Sequence, residues 1–237
     1  MTSTRIAVRA VLTDIEGTTS TIAFVKEVLF PYADERLDGF VAAHRTDPAV
    51  AQAMLDAARE AGEPPDADDA TVLAHLHRWI AEDRKSTPLK ALQGVIWREG
   101  YEKTGLRGHL YDDAAAALRA WHASGIALYV YSSGSVEAQK VLLGHSDHGD
   151  FRPLISGYFD TTTGAKRERA SYETIARAVA LPAPEIVFLS DVDAELDAAR
   201  DAGMQTVRLM RPLDTPPGAT TTHASVSSFA QLELSRG

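Results

Sequence analysis

A short apolar run that ends abruptly in acids constrains this chain more than any other feature. Val8 to Leu12 is apolar apart from Arg9 and partly β-branched, and the sequence then continues TDIEGTTST, from Thr13 to Thr21. Carboxylates crowded at the end of a buried strand are disfavoured by desolvation and by mutual repulsion. A divalent cation is the usual group that offsets such a cost, and in open α/β sheets ligands sit beyond the carboxyl ends of the strands. Asp14 and Glu16 are therefore the first candidates for chemistry. Taken alone, the stretch is also open to a plainer reading, a surface turn in which Asp and Gly serve turn geometry.

The pattern after Thr21 changes to a helical one. Val25, Val28, Leu29, Tyr32, Leu37, Phe40 and Val41 recur at spacings near three and four. Pro31 is expected to kink or interrupt that helix. Asp47-Pro48 reads as a helix start and Gly62 as its stop. EPPDADD, Glu63 to Asp69, reads as a loop; Val72 to Ile80 is helical again, and Pro88 opens one more helix. In the second half, strand-like runs at Ile126–Tyr131, Leu154–Phe159, Glu185–Leu189 and Thr206–Met210 alternate with helical ones. The helices are expected at Asp112–Ala123, Val136–Leu143, Ser171–Ala180 and Ala194–Ala202. Such alternation predicts an α/β fold, a parallel sheet with helices on both faces. The expected division is a core of residues 1–20 and 108–237, with an all-helical insertion over residues 21–107. The tail after Arg211 is rich in Pro and Thr, then turns strand-like or helical near Val226 and Phe229.

Composition narrows the function classes. A net charge of −9 argues against a nucleic-acid-binding surface, which is normally basic. The absence of cysteine excludes disulfides, thiolate metal sites and a cysteine nucleophile. No run approaches the roughly 18 apolar residues of a membrane span, and the first residues lack the apolar core of a signal peptide. The expectation is a soluble, cytoplasmic protein with no membrane and no nucleic-acid partner.

Two further strand ends are polar where the strands are not. IALYVY runs into Ser132, Ser133, Gly134 and Ser135; EIVFL runs into Ser190, Asp191, Val192 and Asp193, with Glu195 close behind. Between them lies Lys166, just before a helix. In a parallel sheet these ends share one edge, so Asp14, Glu16, Ser132, Lys166 and Asp191 could converge on one site. Oxygen donors in that number suit a hard cation such as Mg²⁺. A lysine, a hydroxyl and the N–H groups of a helix start suit phosphate oxygens. One carboxylate could attack phosphorus, and a second, two residues on, could act as general acid and then base. Each piece has a plainer reading: Ser132-Ser133 as a turn, Lys166 as a solvated lysine, Asp191 or Asp193 as a helix cap, Glu195 as an exposed helix residue. All of them together, in this chain order, favour the site.

TDIEGTT, YSSGS, Lys166 and FLSDVDAEL resemble, in order, the four signature motifs of the haloacid dehalogenase superfamily of phosphohydrolases. The DIEGTT form, with glutamate two positions after the first acid, is similar to the enolase-phosphatases of methionine salvage. FVKEVLFPYA, LQGVIWREGY, HLYDD, YSSGSVEAQK and the Ser171-Tyr172 pair add to that likeness, which spans about residue 6 to residue 212. The resemblance implies a Rossmann-like core with a helical cap, one Mg²⁺ per chain, a monomer, and a small phosphate ester as substrate. The implied reaction enolises 2,3-diketo-5-methylthiopentyl 1-phosphate and removes its phosphate to leave an acireductone. It also implies roles: Asp14 as nucleophile and metal ligand, Glu16 as acid/base and metal ligand, partly through its carbonyl, and Asp191 completing the metal shell. Ser132 and Ser133 would hold phosphate or substrate oxygens, and Lys166 would pair with the phosphate and with Asp14. Asp193 and Glu195 fall near the metal ligands as supporting residues. Phe24, Trp97 and Tyr101 are candidates for an apolar pocket at the methylthio end, though packing between helices explains each alone. Two other activities stay open: a different reaction of the same superfamily, and a phospho-accepting regulatory module that binds without turnover. The large helical insertion speaks against the latter.

Overall fold

Six strands form one parallel sheet in the order β4-β3-β2-β5-β6-β7. The computed structural model describes residues 4–237; the first three residues of the expected core segment lie outside them. The strands are β2 (Ala10–Thr13), β3 (Ala127–Tyr131), β4 (Ile155–Phe159), β5 (Ile186–Ser190), β6 (Gln205–Leu209) and β7 (Ala224–Val226). β2 is buried at all four positions and β5 at all five, as continuous apolar runs in a doubly covered parallel sheet should be. Ala10, Leu12, Ile186 and Phe188 form one buried cluster with Tyr131, Tyr172, Ile175 and Leu196.

The expected first strand, Val8–Leu12, is in fact two. β1 (Thr4–Val8) pairs with β8 (Leu232–Arg236) in a separate two-stranded parallel sheet, and β2 starts afresh at Ala10. Arg9 is where the chain changes sheets: its N–H already bonds Glu185 O at 2.8 Å, and its carbonyl accepts from Ala127 N at 2.9 Å. The alternating exposure of β1 marks a one-sided ribbon, in contrast to β2. The tail expected to turn regular near Val226 and Phe229 supplies β7, a short 3₁₀ turn at Phe229–Gln231, and β8.

The chain divides into two compact units, one running up to Ala23 and resuming at Arg107, the other Phe24–Leu106. After the single turn α1 (Ile22–Phe24), the second unit is helical throughout: a π turn over Val25–Leu29, then α2 (Phe30–His44), α3 (Pro48–Ala61), α4 (Asp69–Ala81) and α5 (Thr87–Lys103). The interruption expected at Pro31 is that π turn. Proline has no N–H to donate and its ring crowds the carbonyl four residues back, and the neighbouring Phe30 N–H reaches Val25 O instead. Asp47, Asp68 and Ser86 cap the next three helices, accepting from Ala49, Thr71 and Leu89 N–H. Gly62 ends α3 in the left-handed region at φ 81°. Trp79, Leu76, Leu37 and Leu92 centre this unit's own core. Trp97 packs on that core and donates Nε1–H to Leu29 O at 2.8 Å, while Phe24 and Tyr101 are buried.

In the first unit α6 (Asp112–Ala123), α7 (Val136–Gly144), α8 (Arg169–Val179) and α9 (Asp193–Asp201) connect the strands. Among the described residues no helix is long and apolar enough to cross a membrane. Phe188 is fully buried, in register with Leu12 on one side and Thr206 on the other. Phe188→Ala should destabilise this unit by about 3–5 kcal/mol, read as a lower urea midpoint; an unchanged midpoint would contradict the packing.

Candidate active site

β2 lies between β3 and β5, so the carboxyl ends of these three strands flank the point where the strand order reverses, the position at which open α/β sheets bind ligands. β2 delivers Asp14 there. Its N–H bonds Leu189 O at 2.9 Å, and the side chain is almost wholly buried. The loop that follows wraps around one carbonyl: Thr18, Thr19 and Ser20 N–H all donate to Ile15 O, at 3.2, 2.9 and 2.8 Å. Thr13 and Thr19 hydroxyls donate to Asp14 O. Glu16 is half-buried, with its main chain bridged to Ser20. Gly17 sits at φ 68°, and a Cβ there would run into the Asp191 carboxylate. Two separate reasons thus demand glycine, and the contact shows how closely the loop after β2 approaches the end of β5.

Lys166 is the hub. Its Nζ donates to Asp14 Oδ1 at 2.8 Å and to Glu195 Oε2 at 2.7 Å, and all three side chains are about nine-tenths buried. Asp14 Oδ1 also accepts Ile15 N–H at 2.8 Å, so both bonds fall on one oxygen and Oδ2 is left for other chemistry. Ser190 Oγ donates to Glu195 Oε2 at 3.1 Å. Burial alone would push the Lys166 ammonium down, but the charges of Asp14 and Glu195 outweigh it and hold the group above the ordinary lysine value. Burial and the Asp14 charge push Glu195 up, with Lys166 pulling it back.

The loop carrying Lys166 is fixed through its main chain. Tyr131 OH donates to Gly164 O at 2.9 Å, Ser171 Oγ to Ala165 O at 2.7 Å, and Tyr172 OH to Lys166 O at 2.7 Å. Three successive carbonyls that belong to no ladder are each satisfied by a hydroxyl. Beside them, Ser132 is buried and Ser133 exposed. Ser132 Oγ accepts Gly134 N–H at 3.3 Å, and the loop is shaped from below by Gln139, whose Nε2 donates to Gly134 O and Phe159 O. Asp160 closes the same corner, accepting from Val136 N, Thr162 N and Thr162 Oγ1.

Asp14, Lys166 and Asp191 are therefore brought together. Asp14 and Lys166 bond directly, and Asp191 feels the charges of Asp14, Glu195 and Lys166. Ser132 and Ser133 stand on the adjoining loop. Glu195, expected to support from the edge, grips the lysine itself. Asp193 faces elsewhere, accepting from Arg208 Nη1 and Thr221 Oγ1.

The charges here do not balance. Asp14, Asp191 and Glu195 set three carboxylates against one ammonium. Burial, and next the charge of Asp14, push Asp191 up to about 7. An excess of two negative charges among oxygen donors fits one divalent cation. The described residues hold no group of three His, Asp or Glu side chains arranged as a metal cage. Mg²⁺ typically uses one or two carboxylates and completes its shell with water and phosphate oxygens.

A parallel sheet with a nucleophile-competent aspartate, a lysine and a further acid at its switch point, and a helical block following the first of its strands, defines a hydrolase of the haloacid dehalogenase type. The family model for haloacid dehalogenase-like hydrolases matches residues 8–203. Relatives named Enolase-phosphatase E1 include one from Methylococcus capsulatus, 59% identical over 86% of this chain and 89% of its own. Another, from Pseudomonas aeruginosa, is 56% identical over 95% and 98%. The crystal structure of the UTR4 protein of Saccharomyces cerevisiae superposes with a TM-score of 0.79 at 34% identity, covering 94% of this chain and 98% of that one. The chain belongs to the enolase-phosphatase family of the haloacid dehalogenase-like hydrolases.

Asp191 generates a pH prediction. With a folded value of about 7 against 3.8 for the free carboxyl, the folded state holds a proton that the unfolded state has lost between those limits. Stability from this group is therefore present at low pH and is lost as pH rises through about 7. In metal-free protein, Asp191→Asn should flatten the fall in melting temperature between pH 5 and pH 8; equal slopes for both proteins would refute the assignment.

Proposed function

We propose that this chain converts 2,3-diketo-5-methylthiopentyl 1-phosphate to an acireductone and inorganic phosphate, the enolase-phosphatase step of methionine salvage, with Mg²⁺ as cofactor. The observation that carries the reading is Lys166 bonded to Asp14 at the sheet's switch point with Asp191 beside it. The name shared by relatives at 53–59% identity supports the substrate. The same reading takes the enzyme as a monomer and as cytoplasmic, the latter in keeping with a chain that has no cysteine.

Asp14, Asp191 and the main-chain carbonyl of Glu16 would hold the cation. When bound, it supplies positive charge against the phosphoryl oxygens. Asp14 Oδ2, free of the two bonds that fix Oδ1, attacks phosphorus. The P–O ester bond breaks as the acyl phosphate forms, and Glu16 gives its proton to the departing oxygen. Glu16 then takes a proton from the water that attacks the acyl phosphate, which releases inorganic phosphate and restores Asp14. Lys166 holds the Asp14 carboxylate in place through Oδ1 and offsets charge on the transferring group. Ser132 and Ser133 hold phosphate or substrate oxygens. Glutamate reaches one methylene further than aspartate, and that reach serves the enolisation as well as the leaving group.

The test is to follow phosphate release and enediol absorbance together, with and without Mg²⁺. Asp14→Asn should lower phosphate release by about 10⁴-fold or more and leave measurable enolisation. Glu16→Asp should slow enolisation more than phosphate release, and equal losses would count against the role given to Glu16. Cleavage of other small phosphates but not of this one would keep the site and remove the substrate.

A further inference from the structure

The hydrolase-family match ends at residue 203, yet the chain beyond it returns to the loop that follows the nucleophile. Arg211 is 3% exposed and places two donors on one acceptor: Nε and Nη2 reach Thr18 O at 2.9 and 2.7 Å. Its Nη1 donates to Asp113 Oδ2 at 2.7 Å. The guanidinium carbon lies 4.2 Å from the Tyr111 ring centroid and 5.0 Å from that of Phe229. Asp113 Oδ2 is held in turn by Ser228 Oγ at 2.7 Å and Phe229 N at 2.6 Å. Three residues on, Asp214 accepts from Tyr111 OH, Thr21 Oγ1 and Ile22 N, at 2.7, 3.0 and 3.1 Å. The tail thus fastens the nucleophile loop at its middle, Thr18, and at its far end, Thr21 and Ile22.

What it fastens has a chemical consequence. The Thr18 carbonyl follows directly on Gly17, whose backbone sits against the Asp191 carboxylate. The Thr18 hydroxyl is buried with no hydrogen-bond partner, so the hold on this residue from outside its own loop is the arginine on its carbonyl. A shift of that peptide changes the seat of Asp191 and the position of the Glu16 carbonyl together.

We propose that Arg211 is a positioning residue for the metal and phosphoryl site: by gripping the Thr18 carbonyl it sets the spacing between the nucleophile loop and Asp191, so the C-terminal segment belongs to the catalytic apparatus. This rests on the reading of Asp14 and Asp191 as cation ligands given above. The mechanism is geometric. A planar guanidinium fixes direction as well as distance, and a lysine keeps the charge but cannot present two donors in one plane.

The test uses the full chain with Arg211→Lys and, one step further out, Ser228→Ala, which leaves the arginine in place. Two quantities are read: the Mg²⁺ concentration that half-saturates the rise in melting temperature, and kcat and KM for phosphate release. For Arg211→Lys the half-saturating Mg²⁺ should rise about tenfold or more, the scale on which outer partners of metal ligands act, and kcat should fall with KM changed less than about twofold. Ser228→Ala should move the half-saturation the same way by a smaller factor, which keeps the test decisive if the lysine variant fails to fold. Variants that melt lower but keep the wild-type Mg²⁺ half-saturation and kcat would overturn the proposal and leave Arg211 a role in the fold alone. A wild-type protein whose melting ignores Mg²⁺ would overturn the cation reading as well, so the two failures are distinguishable.

Discussion

Three loops from distant parts of the chain meet because one buried ammonium sits between two buried carboxylates. Taking Lys166 out of water is expensive, and attraction to Asp14 and Glu195 at 2.8 and 2.7 Å offsets that expense. Removing the lysine would leave both buried acids uncompensated, which is far worse than never having formed the cluster. The interaction therefore enforces a common position on the loop after β2, the loop before α8 and the first turn of α9. Beneath it lie Tyr131, Tyr172 and Phe188, whose rings contact one another at centroid distances of 5.6 and 5.1 Å. That aromatic floor keeps the local dielectric low, and a low dielectric strengthens the very charges that rest on it.

The same aromatics explain how an irregular loop can sit so deep. Loop carbonyls away from water must find donors. Tyr131 and Tyr172 lend their rings to the core and their hydroxyls to the Lys166 loop, with Ser171 supplying the third donor. Burial raises the pKa of both tyrosine hydroxyls, so they remain protonated donors across the working range. One set of side chains is at once the top of the hydrophobic core and the bottom of the site. Placing Lys166 and packing the sheet are, for these residues, a single structural problem.

Much of this was legible from residue order. Continuous apolar runs announced β3 and β5, a strand-like run announced β6, and α6 runs over Asp112–Ala123 as its pattern predicts. Asp14 and Asp191 announced themselves by polarity at strand ends, where nothing in the packing calls for it, and Lys166 stood out only through its place in order between them, just before a helix. Other features carry no local signal. β1 and β8 pair across more than two hundred residues, and their alternating patterns look like those of any exposed ribbon. Glu195 stands in the first turn of α9, where an acid is already favoured by the helix dipole; only the fold reveals that it reaches back to Lys166. A buried arginine such as Arg211 is invisible for the opposite reason, since arginine is normally a surface residue and its partners lie in remote segments.

The unbalanced charge gives these arrangements a direction. A protein selected for stability alone would not leave Asp191 beside Asp14, where burial and repulsion push its carboxyl up to about 7. It would also not require a glycine in the left-handed region so that Asp191 can lie against the loop. The contacts around the loop hold it where the repulsion is greatest: Lys166 on Asp14 from one side, its own loop fixed by three hydroxyls, and Arg211 on Thr18 from another. A site braced against its own charge is ready-made for a cation and a phosphoryl group, because the reorganisation that water would need at the moment of reaction has already been carried out by folding.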